Sequence, residues 1–155
     1  MKKETPTLEN KRARRNYEVL ETLEAGIALL GTEVKSLREG GGDLLDSYAT
    51  IQGDQAYLLN LRIQPYRNAT HFNHEETRTR KLLLHRKEID KLTAKIREKK
   101  LTAVPLKLYF NDRGKVKVLL GVCRGKQKSD KRQDEKKKEA TREMERALRD
   151  ANRRD

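Results

Sequence analysis

The last 32 residues of the chain, Arg124 to Asp155, carry 13 Lys/Arg and 8 Asp/Glu, and their only large apolar residues are Met144 and Leu148. So little apolar surface cannot offset the entropy lost on ordering the backbone. Any core must therefore be built before position 124, and the segment 124–155 reads as a basic tail that is disordered when free and acquires structure on a partner. Its net charge of +5 points to an anionic partner. Ala140, Met144, Ala147 and Leu148, at i, i+4, i+7 and i+8, would form a thin apolar stripe if the tail became helical.

Residues 1–15 hold six basic and two acidic residues, so this end carries +4, and the two flanks together hold +9 of the total +13. A compact domain at 16–123 between two basic arms is the layout of a nucleic-acid binder. The 108 residues of that middle region suffice for one small domain. The single cysteine, Cys123, excludes an intrachain disulfide and a cysteine-based zinc site and fits a reducing compartment. No apolar run approaches ~18 residues, so no transmembrane helix is expected. The first residues, MKKETPTLENKRARRNY, lack the apolar stretch of a secretory signal. A cytoplasmic protein with no membrane partner is expected.

Within the middle region, partial alternation over Tyr17–Leu30 predicts a strand with one irregularity. Thr32 is placed to cap a two-turn helix that carries Val34 and Leu37 and stops at Gly40-Gly41-Gly42. Ser47–Gln52 and Gln55–Pro65 predict a hairpin about Gly53-Asp54, with Leu59, Leu61 and Ile63 on one face. Tyr66–Arg80 is polar and reads as a loop. Leu82, Leu83 and Leu84 then lead into a helix whose stripe is Ile89, Leu92 and Ile96, with His85 and Glu88 at capping-box spacing. Leu101–Phe110 and Lys115–Val122 form a second hairpin about Asn111–Gly114. Leu106, Leu108 and Phe110 are expected on one face, and Pro105 signals an edge or a bulge. The expected fold is mainly β with flanking α: a small antiparallel β-barrel of oligonucleotide-binding type with two or three helices and the basic tail.

No catalytic constellation is visible, so an enzyme is not expected, and no cofactor is implied. His71 and His74 could be read as a metal pair, but the stretch is loop-like and has no third ligand nearby. Cys123, at a strand end, reads as a small core residue. Glycines 40–42 lack the strand–loop–helix context of a phosphate-binding loop. The basic clusters are more telling: Lys11, Arg12, Arg14 and Arg15; Arg78, Arg80 and Lys81; and Lys115 with Lys117, two apart on one strand face. Lys35 of the short helix is counted with them. Such side chains bind phosphate without reading sequence. Aromatic content of 5% with no Trp disfavours a binder that works by stacking alone and favours recognition of folded RNA by shape.

Seven segments in order, NKRARRNY, EAGIALLGTEVKSLREG, DSY, TRTRKLLLH, VPLKLYFN, GKVKV and RGKQKSDKR, resemble the small protein B (SmpB) family, the SsrA-binding proteins of bacterial trans-translation. GTEVKSLR and RTRKLLLH are the specific ones. The resemblance implies an oligonucleotide-binding barrel that binds the tRNA-like domain of transfer-messenger RNA near its elbow. It implies delivery of the alanylated RNA to stalled ribosomes, with elongation factor Tu engaged through that RNA. It also implies small-subunit rRNA as a second partner, with a tail that becomes helical in the empty mRNA channel.

By the same resemblance, RNA contacts fall on Asn10, Glu24, Leu83 and Lys117, and a decoding-site motif falls on Gly125, Lys126, Lys128, Asp130, Lys131 and Arg132. Glu24, read alone, is an ordinary exposed carboxylate, although a carboxylate can accept from base amino groups or a 2′-OH. Ser129 stands where the family usually has a ring able to stack, Gln127 where it has Lys, Arg15 where it often has His, and Cys123 where it usually has Ala. The alternative reading is a ribosome-associated RNA-binding or assembly factor without preference for one RNA.

Overall fold

The computed structural model describes residues 5–69, 72–125 and 139–149. They fall into two units, Met1–Gly125 and Lys126–Asp155.

The first unit is a closed barrel. Strands β4 (Tyr48–Gln52), β5 (Gln55–Leu59), β7 (Arg80–Leu83), β2 (Tyr17–Ile27), β9 (Val116–Gly125) and β8 (Thr102–Phe110) pair antiparallel in that order, and β8 returns to β4 through Ala49↔Ala103. Short β1 (Leu8–Glu9) pairs with β8, and β3 (Gly42–Asp43) pairs with β6 (Arg62–Ile63) in a separate ladder. Closure removes the unpaired edges that an open sheet of this size would present. The barrel is filled by alternate residues of each strand, among them Ala25, Ile27, Leu58, Leu82, Leu108, Val118 and Leu120. Helix α3 (Arg86–Arg97) packs Ile89 and Leu92 on that core, with Ile96 partly covered.

Several local expectations hold for visible reasons. The irregularity in β2 is a register shift between Val19 and Glu21. Gly53 has φ +62 in the two-residue turn while Asp54 stays at negative φ, the pattern of a type II′ turn. Helix α2 (Gly31–Arg38) ends in a Schellman arrangement, with Gly40 N donating to Leu37 O, Gly41 N donating to Ser36 O, and Gly40 at φ +80. Pro105 lies at a bulge, the register shifting between Pro105 and Lys107.

Other expectations are corrected. Thr32 does not cap α2. Leu30 occupies that position, its N–H held by Glu33 Oε1 at 2.8 Å, and the Thr32 hydroxyl meets His74 Nδ1 at 2.9 Å. The run 55–65 is not one strand, because Asn60 at φ +61 breaks it; Leu58, Leu61 and Ile63 are buried and Leu59 only half-buried. The bulge in β8 inverts the side-chain phase, so Leu106 leaves the face of Leu108. It joins a second small core with Ala13, Val104 and Cys123, against which Tyr17 and Val19 pack.

That second core explains the N-terminus. Residues 8–15, expected as part of an arm, belong to β1 and helix α1 (Lys11–Asn16), which lays Ala13 into the cluster. In the second unit, residues 139–149 are helical and every one of them is exposed.

Candidate nucleic-acid interface

The C-terminal end of β2 lies between two strands. Gly26 is opposite Leu83 of β7 on one side and Lys117 of β9 on the other, and Lys117 is in turn opposite Tyr109 of β8. Alternation sends Ala25 and Ile27 inward, so Glu24 and Gly26 face out; Leu82 goes in, so Lys81 and Leu83 face out; Val116 and Val118 go in, so Lys117 faces out. Four strands thus deliver one outer row, and at its centre is a residue with no side chain. A Cβ on Gly26 would stand 3.1 Å from Leu83 Cβ. The glycine leaves the floor low, and a groove of about 480 Å³ opens over it, lined by Glu24, Lys81, Leu83, His85, Glu88 and Lys117 among others.

The chemistry of this groove suits RNA. Lys81 and Lys117 supply positive charge to phosphates. Leu83, 53% exposed, is a large apolar surface that a ribose or base face can cover. Glu24 accepts a hydrogen bond from the Tyr109 hydroxyl through Oε2. Burial raises the Tyr109 pKa, and the hydrogen bond and charge of Glu24 raise it further, to about 12, so the phenol remains a donor.

The remaining basic residues divide. Lys11, Arg12 and Arg14 lie exposed on α1, Arg12 Nη1 standing 3.8 Å from Asp46 Oδ1. Lys115 is exposed beside the turn at Gly114. Lys35, exposed on α2, sits 5.6 Å from the centroid of the Tyr66 ring.

Two expected contact residues are buried. Arg80 is fully buried: its Nε donates to Glu33 Oε2 at 2.5 Å, Nη1 donates to the carbonyls of Leu61 and Arg78, and Nη2 donates to Glu76 O. It shares the inward phase of Leu82, so it holds the barrel wall together and presents nothing to a ligand. Asn10 is also buried. Its Oδ1 caps α1 at Ala13 N, and its Nδ2 donates to Leu44 O and Pro105 O. Arg78 is one-third exposed but is drawn to Glu33 Oε1 at 2.5 Å.

Burial alone would push the Glu33 carboxyl upward. The hydrogen bonds from Arg78, Leu30 N–H and Arg80, together with the charge of Arg80, outweigh it and hold Glu33 below the ordinary carboxylate range. His74 is structural as well, Nε2 donating to Ile63 O at 2.8 Å while Nδ1 meets Thr32. His71 lies outside the described residues, and no metal-ligating cluster is found among those described. Burial raises the Cys123 thiol to about 11.

Gly125 ends β9 opposite Tyr17. Lys126, Gln127, Lys128, Ser129, Asp130, Lys131 and Arg132 lie outside the described residues. Among the described residues no helix is long and apolar enough to cross a membrane. Sequence reasoning missed Gly26 and Tyr109. The hairpin register about Asn111–Gly114 was the available signal for Tyr109, since it sets that residue beside Lys117.

The chain is similar to proteins of known designation. An SsrA-binding protein of Symbiobacterium thermophilum is 54% identical over 144 residues, covering 93% of this chain and 91% of that one. One of Thermus thermophilus is 53% identical over 140 residues, covering 90% and 97%. A solved structure described as "tmRNA-SmpB: a journey to the center of the bacterial ribosome" superposes with a TM-score of 0.68 at 55% identity, covering 80% of this chain and 87% of that one. The family model SmpB protein matches residues 7–150, and the chain belongs to the SmpB family.

Proposed function

We propose that the protein binds the tRNA-like domain of transfer-messenger RNA and delivers it to stalled ribosomes for trans-translation. The observation that carries this reading is the groove over Gly26. It brings Glu24, Lys81, Leu83 and Lys117 from three strands to one place, in a chain more than half identical to SsrA-binding proteins. Charge, an apolar platform and an acceptor for 2′-OH or base amino groups are what shape-selective RNA recognition needs. Lys11, Arg12, Arg14, Lys35 and Lys115 extend the field that draws RNA in. Arg78, largely committed to Glu33, contributes charge to that field more than contact.

The finer parts of the reading concern the ribosome. Elongation factor Tu engages through the alanylated RNA. The tail folds against small-subunit rRNA in the empty mRNA channel, with Gly125, Lys126, Lys128, Asp130, Lys131 and Arg132 at the decoding site. The exposure of the helical residues 139–149 supports coupled folding on a polyanionic surface. A cytoplasmic location follows from the same assignment.

The test is a binding titration at ~150 mM salt against the tRNA-like domain, ordinary tRNA and a duplex of equal charge. A preference of ~100-fold or more is expected. Near-equal affinities would reduce the protein to a generic basic RNA binder. Removing residues 124–155 should lower RNA affinity only modestly but abolish peptide tagging; parallel loss of both would make the tail an RNA-binding arm alone.

A further inference from the structure

An exposed carboxylate in a groove that receives RNA is an awkward recognition element. It repels phosphates, and as a free glutamate it samples many rotamers that must be frozen on binding. In this structure Glu24 is not free. Tyr109 reaches across β9 from β8 and donates its hydroxyl proton to Glu24 Oε2, while among the described residues Oε1 has no hydrogen-bond partner. Tyr109 stands opposite Lys117, and Lys117 stands opposite Gly26, so the tether crosses the strand that carries the groove's lysine.

We propose that Tyr109 is a positioning residue of this site: by holding Glu24 Oε2 it fixes the carboxylate against the groove wall and aims Oε1 at a ribose 2′-hydroxyl or a base amino group. The inference rests on the functional reading above. The phenol is suited to the task, because its raised pKa keeps the proton on oxygen throughout the range in which RNA is handled. It also draws negative charge from Glu24, which with Glu88 opposes phosphates in the groove, so that Lys81 and Lys117 weigh more in the field. The recognition it supports depends on ribose: Oε1 accepts from a 2′-OH that 2′-deoxyribose lacks.

The experiment uses four full-length proteins, wild type, Tyr109→Phe, Glu24→Ala and the double variant, titrated with the tRNA-like domain and with the same RNA carrying 2′-deoxy substitutions at the riboses that wild type shields from hydroxyl-radical cleavage. Tyr109→Phe should lose about fivefold in affinity, the effect of one hydrogen bond, with its urea midpoint unchanged. In the Glu24→Ala background the same change should cost nothing further, and Tyr109→Phe should show a smaller penalty for the 2′-deoxy RNA than wild type does. An equal loss in both backgrounds would mean that Tyr109 acts other than through Glu24, which overturns the inference. Preference for the tRNA-like domain retained together with unchanged Tyr109→Phe affinity overturns it alone. A wild-type protein without that preference overturns the functional reading, and the inference with it.

Discussion

Replacing Arg80 by Met separates architecture from recognition. The substitution removes the guanidinium from Glu33 Oε2 and also orphans the carbonyls of Leu61, Arg78 and Glu76, in a place where neither Arg80 nor Glu33 has any exposed side chain. Breaking one partner of a buried pair costs roughly 3–5 kcal/mol. That is a fifth or more of the ~5–15 kcal/mol that holds a domain folded. The expected drop in thermal midpoint is on the order of 10–20 °C. Arg78 and Leu30 N–H still hold Glu33, which keeps the loss toward the lower end. Urea unfolding of the wild type, Arg80→Met, Glu33→Gln and the double variant measures it, and the double variant should be more stable than the sum of the singles predicts. RNA affinity of Arg80→Met, read well below its unfolding transition, should stay within about twofold of wild type. A cost below ~1 kcal/mol would refute the burial argument. A fall in RNA affinity with the fold intact would return Arg80 to the RNA surface.

Lys117→Ala and Leu83→Ala should each weaken binding to the tRNA-like domain by roughly tenfold with little change in folding, and only Lys117→Ala should reduce the salt slope of the titration. The Glu33 carboxyl is held below its ordinary value, so its contribution to stability is present above the unfolded pKa near 4.5 and lost as pH falls through the folded value; urea midpoints from pH 6 to 2 should fall less steeply for Glu33→Gln than for wild type. Cys123 is fully buried with its pKa near 11, so about one thiol in a thousand is ionised at pH 8. A chromogenic disulfide reagent should therefore find no reactive thiol until urea unfolds the chain, and immediate labelling of the native protein would contradict its placement.

The hairpins and helices were legible because their signals are local: alternation, a glycine at a positive-φ turn, a stripe at Ile89, Leu92 and Ile96. What was not legible turns on phase. Three consecutive leucines, 82 to 84, carry no alternation, so nothing in the sequence says that Leu82 and Arg80 face in while Leu83 faces out. Pro105 announced a bulge but not that it would turn Leu106 to the opposite side from Leu108. Asn60 breaks the 55–65 run by a left-handed backbone that asparagine adopts at low cost. Asn10 had the composition of a helix cap, but the helix after it has a single apolar residue, Ala13, too few to show periodicity. The groove itself was half visible. Glu24, Leu83 and Lys117 entered through resemblance, Gly26 needed the pairing of β2 with β7 and β9 that a sequence does not print, and Tyr109 was within reach of the hairpin register about Asn111–Gly114.

Strand β9 also acts as a measuring rod. Lys117 lies in the RNA groove and Gly125 is the last residue of the strand, where the chain passes into its basic tail. Eight residues of extended chain, at about 3.3 Å each, set these two points roughly 26 Å apart. The rod is braced along its length, by β2 on one side and β8 on the other. Side-chain substitutions can alter how firmly either end grips its RNA, but the interval between the grips belongs to the backbone ladder. Under the proposed function, in which the body holds one RNA and the tail engages another, the spacing is carried in the hydrogen bonds of this strand.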